Sequence, residues 1–127
     1  MDKRVVGIGG VFLRAKDHVA LREWYRVHLG IDAGEWGTTF QWDEPQADAT
    51  PGTVWSIFKA DADYFPGPVM INYRVLDLHG VLAALRAEGC NVDAKVEDTE
   101  FGKFGWVTDP EGNRIELWEP PRAKASE

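Results

Sequence analysis

The chain has 127 residues, 44% of them apolar and 28% charged, which fits one globular domain and excludes a disordered or fibrous protein. The formal net charge is −7, so phosphate backbones are repelled and nucleic acid is not expected as a partner. No apolar run approaches the roughly 20 residues that cross a bilayer, and the N-terminus lacks a signal-peptide pattern. The single cysteine, Cys90, fits a reducing compartment. These features predict a cytoplasmic protein with no membrane partner.

The first half of the chain predicts a strand, a helix and two further strands. Residues 5–14 are rich in β-branched and aromatic residues and predict the first strand. Asp17 is placed to cap the following helix, and Gly30 to end it in a left-handed conformation. The apolar stripe of that helix comprises Ala20, Leu21, Trp24, Tyr25 and Leu29. Further strands are predicted at 38–42 and 53–59, joined by a polar loop that contains Asp43, Pro45, Asp48 and Pro51.

The second half repeats this order of elements. Residues 69–75 predict a strand, Asp77 caps the next helix, and Gly89 ends it. The apolar stripe of this helix comprises Leu78, Val81, Leu82 and Leu85. Three strands are then predicted at 91–95, 105–108 and 114–118, with a turn over 109–113. Residues 121–127 are predicted to form a polar tail.

The two halves match at a fixed offset of 60 residues. The offset places Asp17 on Asp77, Leu21 on Val81, Gly52 on Gly112 and Ser56 on Glu116. Neither unit of about 60 residues buries much surface alone, so the two are expected to share a core. The sequence therefore predicts one domain over residues 1–120, made of a module at about 5–60 and a module at about 69–119.

Three segments carry a resemblance to a known family. They are the first strand and cap, GGVFLRAKD, the second strand and cap, MINYRVLD, and the closing FGKFGWVTDPEGNRIELWEP. Together they resemble the vicinal oxygen chelate superfamily, which includes glyoxalases, extradiol dioxygenases, fosfomycin-resistance enzymes and bleomycin-resistance proteins. The resemblance implies an α+β fold of two βαβββ modules that form a cup-shaped, partly open barrel, commonly as a homodimer.

The resemblance also implies four metal-ligand positions, on the first and last strands of each module: Gly10, Ser56, Met70 and Glu116. Only Glu116 is a good ligand for a divalent cation, because glycine has no side chain and a thioether prefers soft metals. Three histidines lie next to the caps or in the last helical turn and are expected to face solvent: His18, His28 and His79. We therefore expect no metal cofactor, with a divalent ion held weakly at Glu116 as the open alternative.

Strand alternation places further side chains on the same face as these four positions. The face is predicted to be apolar and aromatic with a few polar groups, which is typical of a ligand pocket. The predicted ligand-binding residues are Phe12, Ser56, Phe58, Met70, Asn72, Phe104, Trp106, Arg114 and Trp118. Ile8 is predicted to share this face, whereas the heads of Arg14 and Arg74 are expected outside the cup. Residues 61–68 join the modules, and their Tyr64 and Phe65 are placed to cover the cup or a dimer contact.

Two classes of function stay open at this point. The first is a metal-independent protein that binds a small molecule in the aromatic cup, similar to bleomycin-resistance proteins. The second is an enzyme similar to the glyoxalases, lyases or dioxygenases, with Glu116 as its catalytic base or as the ligand of a weakly held metal. Glu116 would instead be purely structural if it paired with Arg114, Arg74 or another cation. A structural interaction domain is a third possibility.

Overall fold

A computed structural model describes residues 4–41 and 52–121, which form two helices and an open sheet of seven strands. The elements are β1 Val5–Ala15, α1 His18–Leu29, β2 Thr38–Phe40, β3 Thr53–Lys59, β4 Val69–Val75, α2 Leu78–Ala87, β5 Asn91–Thr99, β6 Gly102–Thr108 and β7 Arg114–Glu119. The strand order is β2-β3-β1-β4-β7-β6-β5, so each module forms one half of the sheet. The predicted α+β class and partly open architecture are confirmed.

The pairing register shows the internal repeat residue by residue. In the first module β1 and β3 run parallel, and Phe12 pairs with Ser56. In the second module β4 and β7 run parallel, and Asn72 pairs with Glu116, each 60 positions beyond its counterpart. The antiparallel pairing of β1 with β4 joins the two modules. First and last strands of both modules therefore lie side by side at the centre of the sheet.

Both helices begin at the predicted aspartates. The Asp17 carboxylate accepts from the backbone N–H of Ala20 at 3.0 Å, and Asp77 accepts from Gly80 at 3.1 Å. Helix α1 ends at Gly30, whose φ of 71° is left-handed as predicted. No helix in residues 4–41 or 52–121 is long and apolar enough to span a membrane.

The two apolar helix stripes differ in their burial. In α2 the stripe is confirmed, since Leu78, Val81 and Leu82 form a core with Val75 and Leu117. In α1 the prediction is only half right, because Leu21 and Tyr25 are half-buried whereas Trp24 is 50% and Leu29 61% exposed. Helix α1 therefore contributes far less to the core than α2.

Several strand boundaries differ from the prediction. Strand β2 ends at Phe40, and position 42 lies outside the described residues together with the predicted loop of Asp43, Pro45, Asp48 and Pro51. Strands β5 and β6 extend beyond 91–95 and 105–108 because they continue to a tight turn at which Thr99 pairs with Gly102. Gly102 has φ +116°, which a side chain rarely adopts. Of the predicted tail 121–127, only Pro121 is described.

A bulge in β1 changes which residues face the cup. The register with β4 shifts between Ile8 and Gly10, so Gly9 occupies the extra position. A Cβ atom at Gly9 would lie 2.7 Å from Trp118 Cε3 and 2.9 Å from Arg74 Cγ, so only glycine fits there. Ile8 is 46% exposed, and the prediction that it shares the cup face is wrong.

Candidate functional site

Glu116 lies at the centre of the site, and its carboxylate is held by three side chains. It is 1% exposed, and it accepts hydrogen bonds from Asn72 Nδ2 at 2.6 Å, from Trp106 Nε1 at 3.0 Å and from the Tyr64 hydroxyl. The sheet register explains two of these contacts, because Asn72 on β4 and Trp106 on β6 are the direct cross-strand partners of Glu116 on β7. The third donor comes from the linker between the modules.

Glu116 is a buried carboxylate that makes no ion pair among the described residues, and the charge of Arg114 is the smallest of the influences that lower its pKa. Burial raises the pKa of Glu116, and the hydrogen bonds from Tyr64, Asn72 and Trp106 oppose that rise only in part. The predicted alternative of an ion pair with Arg114 or Arg74 is wrong among the described residues. Arg114 pairs with Asp93 at 3.0 Å, and Arg74 Nη1 donates to the Gly52 carbonyl at 3.1 Å. All three groups on the carboxylate are therefore neutral donors.

An aromatic cluster surrounds this carboxylate. Its buried members are Phe12, Phe65, Met70 and Trp106, and its half-buried members are Val54, Phe58, Tyr64 and Phe104. Met70 and Trp106 are each only 1% exposed. The low polarity of this packing is what withdraws Glu116 from water.

The linker fills the mouth of the cup with Tyr64 and Phe65. The Tyr64 ring stacks on Phe58 with centroids 5.7 Å apart and meets the Trp106 ring edge-on at 6.0 Å. Phe65 is 2% exposed and packs at 5.3 Å from Phe58. Of the two roles predicted for these residues, covering the cup is confirmed.

Arg14 fastens the linker to β1. Its guanidinium donates to the carbonyls of Gly67 at 3.0 Å, of Ala62 at 2.9 Å and of Phe65, and it lies 4.8 Å from the Phe65 ring centroid. Arg14 therefore acts from outside the cup, as expected. Its counterpart Arg74 does not, because Arg74 is 1% exposed and lies against Trp118; the prediction that its head is outside is wrong.

A cavity of about 700 Å³ opens beside β3, next to the aromatic cluster. Its lining comprises His18, Glu35, Trp36, Ser56, Ile57, Phe58, Lys59, Asp61 and Ala62. The position of the cavity follows from the short β2, which pairs only with residues 53–55 of β3. Phe58 is shared between the cavity wall and the stack on Tyr64, so the cavity and the aromatic cluster are neighbours.

The structure distributes the predicted ligand-binding residues over three places. Asn72 and Trp106 contact Glu116, and the aromatic cluster contains Phe12, Phe58, Met70 and Phe104. Ser56 is 5% exposed and lines the cavity with Phe58. Trp118 stacks on Phe104 at 6.0 Å and donates to the Phe101 carbonyl, while Arg114 is engaged with Asp93. Trp118 and Arg114 therefore lie outside the contacts around Glu116.

Strand alternation missed the loop residues of the cavity. Trp36 is 67% exposed and lies in a Gly-Glu-Trp-Gly turn, a pattern similar to the glycine–aromatic alternation at 102–106. That similarity is the one signal in the sequence that could have identified it. His18 was expected to face solvent but is half-buried and lines the cavity, whereas His28 and His79 are exposed as expected.

The residues at the four ligand positions do not fit a divalent metal ion. A Cβ atom at Gly10 would lie 2.9 Å from Phe12 Cε1 and 3.2 Å from the Val54 carbonyl oxygen, so Phe12 occupies the space of a ligand there. Both Glu116 oxygens already accept hydrogen bonds from protein donors. Within residues 4–41 and 52–121, no three His, Cys, Asp or Glu side chains are grouped so that they could hold a metal ion.

Within the described residues, a βαββ module and a βαβββ module are joined through their first strands, with a carboxylate on the last strand, which is the arrangement of the vicinal oxygen chelate class. A family model described as a glyoxalase-like domain matches residues 10–118, and the chain belongs to that family. The predicted superfamily is confirmed. No curated protein is a significant match to the chain.

The solved structures similar to this chain show its fold. A methylmalonyl-CoA epimerase variant from Streptomyces coelicolor, in complex with 2-nitronate-propionyl-CoA, has a TM-score of 0.69 at 16% identity, with 96% of this chain and 99% of that chain covered. The epimerase from Mycobacterium tuberculosis gives 0.66 at 19% identity, with coverages of 95% and 92%. A Legionella pneumophila chain described as an NAD-dependent benzaldehyde dehydrogenase gives 0.61 at 12% identity, with coverages of 88% and 98%.

Proposed function

We propose that this glyoxalase-like protein binds a small molecule in its cup without the help of a metal ion. The observation that carries the proposal is a cavity of about 700 Å³ next to the aromatic cluster around Glu116. Phe58 belongs to both, because it lines the cavity and stacks on Tyr64. Pockets for small molecules have about 300–1,000 Å³, and this cavity has a volume in that range. Its lining combines two aromatic side chains, Trp36 and Phe58, with polar and charged groups. The single cysteine supports a cytoplasmic location, and the family resemblance supports a homodimer.

Metal independence is the first testable part of the proposal. We expect purified protein to contain well under one equivalent of Zn, Fe, Mn or Ni, because three of the four ligand positions carry glycine, serine and methionine. Elemental analysis of protein purified without chelator measures this directly. A stoichiometric metal that disappears in Glu116→Ala would contradict the proposal.

The ligand site is tested with a matched pair of exposed tryptophans. Trp36 is 67% exposed and lines the cavity, whereas Trp24 is 50% exposed on α1 and is not part of the lining. A library of small aromatic compounds is screened for a rise in melting temperature, since a ligand at 100 times its Kd stabilises the folded state by about 2.7 kcal/mol. We expect Trp36→Ala to weaken the binding of hits by about ten-fold or more. Trp24→Ala should leave their affinity unchanged, and equal effects of the two variants would argue against this cavity.

A catalytic role of Glu116 is the second candidate function. It is favoured by the burial that raises the pKa of Glu116 and so favours the protonated carboxyl group, and by the Tyr64 hydroxyl that donates to it. Hemithioacetals, catechols and methylmalonyl-CoA, the substrate named for several structural neighbours, form a suitable assay panel, with and without divalent ions. Turnover that is lost in Glu116→Gln would establish this function, and silence of the whole panel alongside ligand-induced stabilisation would favour binding alone.

A further inference from the structure

Glu116 lacks the positive partner that a buried carboxylate ordinarily has. The described cations near the aromatic cluster have other partners. Arg114 pairs with Asp93, and Lys95 pairs with Glu97. Arg14 binds the linker carbonyls, and the buried Arg74 donates to the Gly52 carbonyl and lies over Trp118. Arg114 and Lys95 lie over the Trp106 ring at 5.2 and 5.7 Å from its centroid. Among residues 4–41 and 52–121, no ion pair reaches the Glu116 carboxylate itself. Within the described residues the carboxylate is met by three hydrogen bonds and by the more distant charge of Arg114, so a ligand ammonium would supply an ion pair that these residues do not form.

The rings around Glu116 also favour positive charge. Tyr64 and Trp106 contact the carboxylate through their O–H and N–H groups, and the faces of Phe58, Phe65 and Phe12 pack behind them. Aromatic faces attract cations, and the attraction is strongest where water is excluded. An aromatic enclosure with one carboxylate is complementary to an ammonium group, and an anion would meet both the carboxylate and the net charge of −7.

Tyr64 is placed to give way to such a ligand. It is half-buried, with its ring between Phe58 of the cavity wall and the carboxylate of Glu116. The linker backbone on either side is held by Arg14 through the carbonyls of Ala62 and Gly67. A ligand that reaches Glu116 from the cavity therefore has to displace the Tyr64 side chain, while Arg14 can continue to hold the linker.

We infer that the ligand of this cup is an organic cation, an alkyl or arylalkyl ammonium whose N–H groups replace the Tyr64 hydroxyl on Glu116. This inference rests on the proposed function and names the chemical class of its ligand. A charged donor makes a stronger hydrogen bond to a carboxylate than a neutral hydroxyl does, so the exchange favours the ligand. The hydrocarbon part of the ligand would occupy the cavity beside Phe58.

The experiment compares three probes that share a 2-phenylethyl group and differ in the charge of the group attached to it: phenethylamine (protonated at about pH 7), 2-phenylethanol and 3-phenylpropionate. Their binding to the full chain is measured by ligand-observed NMR and by calorimetric titration. We expect the Kd of the amine to be lower than that of the alcohol by a factor of about ten or more, and the carboxylate to have the highest Kd. Glu116→Gln should abolish the preference for the amine, and Tyr64→Phe should preserve or increase it. Tyr73→Phe, on the face that packs against α2, serves as the matched control and should change nothing.

The possible outcomes separate this inference from the proposed function. Equal binding of amine and alcohol, with both weakened by Trp36→Ala, would overturn the cation inference and leave the small-molecule site intact. A preference for the amine that persists in Glu116→Gln would also overturn it, because the charge would then be recognised elsewhere. Binding of none of the three probes would overturn the inference, while hits from the uncharged part of the aromatic library would still support the proposed function.

Discussion

Replacing Arg14 by methionine is expected to lower the free energy of unfolding by about 3 kcal/mol or more. The guanidinium donates to three linker carbonyls, those of Ala62, Phe65 and Gly67, and also faces the Phe65 ring. A hydrogen bond to a charged group contributes about 1.5–3 kcal/mol. The substitution removes all three bonds at once, and their contributions are coupled because the three carbonyls belong to one segment. Phe65, now 2% exposed, would lose the contact that holds it in the cup.

Urea unfolding of the variant and the parent chain measures this effect. Arg26→Met is the control, because Arg26 pairs with Glu23 on the surface of α1 with its side chain 53% exposed. An exposed pair of this kind contributes only about 0–1 kcal/mol. Arg14→Lys should fall between parent and Arg14→Met, since one ammonium cannot satisfy three carbonyls at once. A change within 1 kcal/mol for Arg14→Met would show that the linker is held by its apolar side chains alone.

The fold could be predicted from the sequence because the determinants of each module are local and occur twice. Asp17 and Asp77 cap their helices by the same contact to the third residue after them. The offset of 60 that aligns these caps also predicts which strand residues pair, as Phe12 with Ser56 and Asn72 with Glu116 show. Repetition thus converts a weak local signal into a strong one.

The same reasoning failed where a contact depends on an irregularity or on a distant segment. Strict alternation placed Ile8 in the cup, but the bulge at Gly9 reverses the sides of the strand before it. The role of Tyr64 depends on Arg14 drawing the linker over the cup, a contact between segments about 50 residues apart that no periodicity reveals. The exposure of Trp24 has a similar cause. Helical spacing predicts an apolar face on α1, but it does not predict how large an area of the sheet packs against that face.

The partners of Glu116 show this division between local and distant signals most clearly. Asn72 is predicted as a lining residue by alternation along β4, and Trp106 by the alternation of glycines and aromatic residues that leads up to it. That Glu116 binds these two neutral side chains, and not an arginine, could not be predicted from the sequence. The choice depends on which of the candidate arginines already has another partner. Arg114 was an equally good candidate from the sequence until Asp93 on β5 engaged it.

Glu116→Gln is expected to be more stable than the parent chain at neutral pH and to have a flatter pH profile. Burial raises the pKa of Glu116 above its value in the unfolded chain, so between the two values the folded state binds more protons. Stability of the parent chain therefore falls as pH rises from the ordinary carboxyl range of about 4 to 5 up to the folded pKa, at about 1.4 kcal/mol per unit of difference. Glutamine carries no charge and avoids this loss, while below pH 4 the two chains should be about equally stable.

The hydrogen bonds of the site explain why glutamine, and not alanine, is the informative substitution. The glutamine Oε1 can accept from Tyr64 and Trp106. Its amide can donate to Asn72 Oδ1 once the Asn72 amide group turns over, because Nδ2 faces Glu116 in the parent chain and Oδ1 has no partner among the described residues. Glu116→Ala leaves the donors of Asn72 and Trp106 buried without an acceptor, which should cost about 2–4 kcal/mol at every pH. The two substitutions at one position thus separate the loss of the charge from the loss of the hydrogen bonds.

Chemical unfolding at a series of pH values between about 4 and 8 measures both variants against the parent. Glu88→Gln provides a control of opposite sign, because Arg4 lowers the pKa of Glu88 and its contribution to stability is present at neutral pH and lost as pH falls. Tyr64 stays protonated throughout, since burial and the neighbouring Glu116 raise its pKa. Parallel pH profiles for the parent and Glu116→Gln would mean that the buried carboxylate ionises as readily as one in water. The hydrogen bonds from Tyr64, Asn72 and Trp106 would then offset the burial in full, and the raised pKa that favours a catalytic role of Glu116 would be contradicted.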